Sequence, residues 1–201
     1  PQALIASHLE DGSLVELLGH LGHPEPTRRL KDLPRVPFTR VARFRELDAA
    51  FSAVPHRLHY AIKANATLDV VRRLRRLGAG ADANSGGEID VALRAGFIPP
   101  EIVFTGVGKT AAELTQAIDL GVKTINAESE GELERIDAIA RARQARARVA
   151  IRVNPDIDAQ SHPHISTGLR SNKFGVPIGE APALFREMAG RQGLRPVGAH
   201  F

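Results

Sequence analysis

Short apolar runs and amphipathic stretches take turns along most of the chain. Strand-like runs near 58–63, 79–83, 102–105, 122–126, 148–153 and 196–201 alternate with stretches carrying apolar residues at helical spacing, in early units of about 20–26 residues. This is a repeated βα pattern. Ser85 with Glu88, Thr110 with Glu113 and Ser129 with Glu132 each supply the S/T-x-x-E spacing that caps a helix start. Gly78, Gly96 and Gly121 stand where left-handed residues close helices. Upstream, Leu14, Leu17 and Leu18 predict one helix, and Val41, Phe44, Leu47 and Phe51 predict another leading to the run at 58. Between them, residues 21–37 mix Gly22, Pro24, Pro26, Pro34 and Pro37 with arginines and a lysine, which suits neither a helix nor a strand.

Strands that read as apolar runs are expected to be covered on both faces, as parallel strands are. Two architectures accommodate them, a closed parallel (β/α)8 barrel of the TIM type and an open doubly wound sheet. Polar residues recur at the C-terminal ends of successive runs: Lys63, Asp82 to Ser85, Thr105, Asn126, Arg152 with Asn154, and His200. In a barrel those ends converge on one mouth, where active sites sit, so the barrel is the expectation.

Composition narrows the class. At 201 residues and 43% hydrophobic, the chain has enough apolar material for a core of one domain, or most of a larger one. No window reaches a membrane span and the first thirty residues lack a signal-peptide pattern, so a cytoplasmic protein with no membrane partner is expected. The absence of cysteine excludes disulfides and thiolate chemistry. The net charge of +4 derives mostly from arginine clusters, Arg72 to Arg76 and Arg141 to Arg148, on or beside predicted helices. With 4% aromatic residues, stacking platforms for bases are scarce, and a nucleic-acid partner is not expected.

The stretch with the most chemistry is Tyr60-Ala61-Ile62-Lys63-Ala64-Asn65. A lysine where a buried strand ends is expected half out of water, where desolvation lowers its pKa and makes it a better amine nucleophile. Attachment to pyridoxal phosphate (PLP) is a common use of such a lysine; a lysine merely reaching into solvent is the plain alternative.

Together with that stretch, Gly80-Ala-Asp-Ala-Asn-Ser-Gly-Gly-Glu88, Ile102-Val-Phe-Thr-Gly106 with Lys109, Asn126-Ala-Glu-Ser129, Arg152-Val-Asn-Pro155, His164-Ile-Ser-Thr-Gly168, Asn172-Lys-Phe-Gly175 and Gly198-Ala-His-Phe201 resemble the PLP-dependent decarboxylases built on an alanine-racemase-like barrel. Among these, the diaminopimelate decarboxylases are the most similar. The resemblance runs from about residue 40 to the end. It implies α-decarboxylation of meso-diaminopimelate to L-lysine and CO2, with PLP as cofactor, no metal, an amino acid as substrate and a homodimer in the full-length family. Lys63 is then the catalytic residue and covalent tether, and Asp82, Arg152, His200, Ala61 and Ser85 join it around the cofactor. Ser85 and Glu88 also serve as helix caps. Related activities on ornithine or arginine, racemisation of alanine, and an inactive cofactor-binding remnant remain the alternatives.

Three motifs are set aside. Gly106-Val-Gly-Lys-Thr110 resembles a phosphate loop, but the required first glycine would fall at Val103, so a βα turn is expected. His162 and His164 lack further partners at ligand spacing, and Ala140 to Ala147 reads as a helix with a charged face. Against the family pattern, Gly22-His-Pro-Glu-Pro-Thr-Arg-Arg29 replaces an apolar first strand, as a locally shifted reading frame would produce. Beyond Phe201 the family carries a ring-stacking histidine, a phosphate loop and a β-rich domain. The expected organisation is therefore a helical or irregular extension over 1–35 and an incomplete barrel over 36–201, without the C-terminal β domain, of low stability and little or no turnover as an isolated polypeptide.

Overall fold

The computed structural model describes residues 36–155 and 174–201. The expected helix around Leu14, the segment 22–29, and His162 and His164 lie outside those residues. The chain divides into two compact units, 1–56 and 57–201. In the first, α1 (Val36–Ala50) is the helix expected from Val41, Phe44 and Leu47.

The second unit begins with β1 (His59–Ala61), a 3-10 turn (Ile62–Ala64) and α2 (Leu68–Arg76). Then follow β2 (Gly80–Ala83), α3 (Gly86–Arg94), β3 (Ile102–Phe104), α4 (Ala111–Leu120), β4 (Thr124–Ala127), α5 (Glu130–Ala142) and β5 (Ala147–Asn154). The last elements are β6 (Val176–Pro177), α6 (Ala181–Gly190) and β7 (Leu194–His200). The seven strands among the described residues are all parallel, and β1 to β5 pair in sequence order with β7 next on β5. A doubly wound sheet reverses its strand order at a switch point; this one runs in a single direction, as the wall of a barrel does. The short β6 joins only the tip of β5, pairing Val153 with Val176. No periodicity announces a strand of two residues, one of them proline.

The core lies between the sheet and its helices. Ala81, Ala83, Ile102, Phe104, Ile125, Val149 and Ile151 point outward and pack with Ile89, Leu114, Leu133 and Ile136 in one buried cluster. The two faces of these strands differ in kind. Asp82, Thr105, Thr124, Asn126, Arg148 and Arg152 alternate with these apolar residues and face the other way. The runs look apolar because the outward residues dominate such short strands.

The helix starts behave as their residues dictate. Thr110 accepts from the Glu113 amide at 3.3 Å, and the Glu113 carboxylate accepts from the Thr110 amide at 3.0 Å. At Ser85 and Ser129 the glutamate reaches one residue further back, taking the amides of Asn84 at 2.8 Å and Glu128 at 2.7 Å. Replacing Thr110 by Ala is expected to cost about 1 kcal/mol in urea unfolding, the usual loss of a helix cap. Gly78, Gly96 and Gly121 have φ of 94°, 97° and 69°, the left-handed geometry expected of them. The helix expected over Ala140 to Ala147 is corrected: α5 stops at Ala142, Gln144 turns with φ 52°, and β5 begins at Ala147. Gln144 occupies a position usually given to glycine, so the stop signal is missing from the sequence.

Candidate active site

The inward face of the sheet lines a cavity of about 420 Å³ whose wall includes His59, Asp82, Thr105, Lys123, Thr124, Asn126, Arg148 and His200. Strand register accounts for this grouping. Ala61 pairs with Asp82, Asn126 with Ala150, and Arg152 with His200, so residues far apart in sequence reach the same end of the wall, where Asp82 and His200 line the cavity and Ala61, Lys63, Ser85 and Arg152 do not.

Lys63 lies in the 3-10 turn that continues β1, beyond the Ala61–Asp82 pair. The turn is mounted firmly. Ile62 is fully buried, the Asn65 amide donates to the Ile62 carbonyl at 3.0 Å, and the Tyr60 hydroxyl donates to the Asn65 carbonyl at 3.1 Å. Asn65 Oδ1 then accepts from the Thr67 amide at 2.9 Å, which leads into α2. The motif residues around Lys63 therefore fix its backbone. Its side chain is exposed, not half withdrawn from water as the sequence suggests. Among the described residues the withdrawn lysines are Lys109 and Lys123. Burial pushes both below the ordinary lysine value, and Arg57 and Arg148 push Lys123 down further.

Arg152 donates from Nη1 to both oxygens of Glu128, at 3.0 and 3.2 Å, and its guanidinium lies 5.3 Å from the Phe174 ring centre. Glu128 is the residue that sequence reasoning left unassigned. The available signal was its place two residues past Asn126, at the end of the strand beside the one carrying Arg152. Lys109 is almost fully enclosed and donates to the carbonyls of Gly106 and Asn126, each at 2.7 Å, and to Glu132 at 3.0 Å. Gly106 to Thr110 is thus a βα turn, as expected.

Ser85 accepts from the Glu88 amide at 3.2 Å and acts as a helix cap. Ala61 ends β1 beside Asp82. Among the described residues no three metal-ligating side chains converge, and no helix is long and apolar enough to cross a membrane. The arginine clusters are engaged locally: Arg141 with Asp137 at 3.1 Å, Arg143 with Asp119 at 3.1 Å, and Arg72 with Asp69 at 3.5 Å.

Two histidines of the cavity are held below their ordinary value of 6.5. For His200 the cause is burial and then the Arg152 charge; for His59 it is burial and then Lys123. The unfolded chain takes up protons near pH 6.5, whereas these native imidazoles resist them. Each therefore costs nothing above 6.5 and progressively more as pH falls from 6.5 through the native value. Urea midpoints are expected to drop over that window. The double variant His59→Gln/His200→Gln should show a shallower drop, before the carboxylates Glu101 and Glu113, both held below their usual range, begin to titrate.

A parallel barrel wall with a rigidly mounted, exposed lysine at one rim and a polar lumen is the architecture of a cofactor-binding barrel. The chain belongs to the pyridoxal-dependent decarboxylase family, whose pyridoxal binding domain matches residues 39–201. It is 45% identical over 157 residues to a diaminopimelate decarboxylase of Pseudomonas aeruginosa, covering 78% of this chain and 38% of that one. The diaminopimelate decarboxylase of Helicobacter pylori, solved in complex with L-lysine, superposes with a TM-score of 0.76 at 46% identity, covering 79% of this chain and 40% of that one. The diaminopimelate decarboxylase from M. jannaschii, also solved with L-lysine, gives a TM-score of 0.72 at 31% identity, over 93% of this chain and 43% of that one. The chain thus spans about two fifths of the length of the relatives it matches.

The family's cofactor is PLP, and the lumen suits it. Asp82 Oδ1 and His200 Nδ1 are buried and have no hydrogen-bond partner among the described residues. Buried polar atoms are rarely left so, and a ligand carrying its own donors and acceptors would satisfy them.

Proposed function

We propose that the chain is the barrel part of an enzyme that decarboxylates meso-diaminopimelate to L-lysine and CO2. The observation that carries this reading is the set of orphaned atoms, Asp82 Oδ1, Thr124 Oγ1 and His200 Nδ1, in the lumen wall of a chain whose rim carries the Lys63 turn. The similarity to diaminopimelate decarboxylases, two of them solved with L-lysine, supports the substrate. The barrel part would comprise residues 36–201 and work as a cytoplasmic homodimer.

When bound, PLP supplies an electron sink for the charge left on the substrate carbon as CO2 departs. Lys63 Nζ would tether the cofactor and carry the proton that replaces the lost carboxylate. Asp82 Oδ1 would accept a hydrogen bond from the cofactor, and Ala61 would leave room beside it. His200, kept neutral at physiological pH by burial and by Arg152, can both donate and accept. Arg152, steadied by Glu128, would present fixed positive charge to an anionic group. Ser85 would hold the loop after β2 through its cap.

The test is to incubate the chain with PLP and, in parallel, meso-diaminopimelate, ornithine and arginine, measuring CO2 and the product amine. Lysine formed from diaminopimelate supports the proposal. Product from another substrate alone reassigns it, and a cofactor adduct without any turnover reduces the chain to a binding part.

A further inference from the structure

We propose that Glu132, whose other carboxylate oxygen is engaged by Lys109, is a positioning residue that holds Arg152 in place at the end of β5 through the main chain of Glu128. The contacts form an unbroken series. Lys109 Nζ donates to Glu132 Oε1 at 3.0 Å, Glu132 Oε2 accepts from the Glu128 amide at 2.7 Å, and the Glu128 carboxylate accepts from Arg152 Nη1 at 3.0 and 3.2 Å.

Each link has a physical reason to be stiff. Lys109 and Glu132 have side chains only 1% and 3% exposed, so neither can exchange its partner for water. The Lys109 ammonium has three hydrogens and meets three acceptors, the third and fourth strand ends supplying two of them through the Gly106 and Asn126 carbonyls. That fastens the loop after β3 to the end of β4. Glu132 sits in the first turn of α5, where a carboxylate is favoured, and spends its second oxygen on the residue just past β4. Glu128 is thereby set where Arg152, on the neighbouring strand, can reach it. The series also gives Gly106-Val-Gly-Lys-Thr110 a purpose: the turn delivers an ammonium inward to the protein instead of cradling a phosphate.

That Arg152 then meets the cofactor or its substrate rests on the function proposed above; the series of contacts does not. The experiment therefore reads Arg152 directly. In nitrogen-15 spectra of the guanidinium, assigned with Arg152→Lys, a held Nη1 slows rotation and leaves Nη1 and Nη2 as separate signals. Two double variants are compared, Lys109→Met/Glu132→Gln and Lys109→Met/Glu132→Met. Both remove the buried charges together, which is far milder than removing one. Gln and Met are close in size and differ in whether an oxygen remains for the Glu128 amide.

The separate Arg152 signals are expected to persist in the Gln variant and to merge in the Met variant. Equal behaviour of the two, whether both persist or both merge, overturns the proposal. Should the Met variant not fold, the single variant Glu132→Gln decides. Its one amide oxygen goes to the Lys109 cation as the stronger partner, leaving the Glu128 amide unserved, so the signals must merge; separate signals there overturn the proposal. Failure of this series leaves the PLP reading standing, and failure to find an adduct on Lys63 leaves the series standing.

Discussion

Lys63→Ala is expected to abolish the covalent capture of PLP. After incubation with the cofactor and borohydride, peptide mass mapping should find the adduct on Lys63 in the native chain and nowhere in the variant. The structure makes this a demanding test, because chemical reactivity alone would choose another lysine. Lys123 lines the cavity, is partly buried, lies 3.2 Å from His59 Nε2, and is pushed down by burial and by Arg57 and Arg148. By the desolvation argument it is the better nucleophile. Lys109 is also desolvated, but its three hydrogens are committed to Gly106, Asn126 and Glu132.

Lys63 is favoured on placement. Its turn is anchored by Ile62 and clamped by the Tyr60–Asn65 hydrogen bond at the C-terminal end of β1, where the strands of a parallel barrel present their functional groups. Positioning a reacting amine is worth several orders of magnitude, more than a modest change in proton affinity. Lys123→Ala should therefore retain the adduct. Labelling that survives Lys63→Ala and disappears in Lys123→Ala would move the tether to the start of β4 and dismantle the site as described.

These residues also show what a sequence displays and what it conceals. The six longer strands and the caps at Ser85, Thr110 and Ser129 were legible, because each depends on residues within a few positions of one another. The end of α5 was not, since Gln144 adopts a left-handed turn without being glycine. Glu128 was hidden for a different reason: its partner Arg152 is 24 residues away and meets it only through strand register. The exposure of Lys63 was hidden too. An apolar run followed by lysine reads as a buried strand end, whereas the chain leaves the strand at Ala61 and turns before the lysine. Local rules locate elements; which side chains share a charge depends on how the strands align.

That alignment near Arg152 depends on one glycine, and Gly175→Ala should disturb it severely. Gly175 has φ 80°, and a Cβ built there would lie 2.8 Å from the Arg152 carbonyl oxygen and 3.2 Å from its carbonyl carbon. Gly78 offers the matched control, with φ 94° and open space where its Cβ would go. Gly78→Ala should lose only the left-handed penalty of about 1–2 kcal/mol. Gly175→Ala pays a similar penalty and must also push the end of β5 away from β6, because the obstacle is main chain and no side-chain rotation relieves it. The shift falls on the residue that carries the guanidinium. A displacement of about 1 Å at such a group can cost on the order of 100-fold in rate. Capture of PLP at Lys63 should therefore fall far more in Gly175→Ala than in Gly78→Ala, and the urea midpoint should fall further as well. If the two variants weaken capture and stability equally, the close approach of Gly175 to Arg152 does not hold the end of β5, and Arg152 must be kept in place by Glu128 alone.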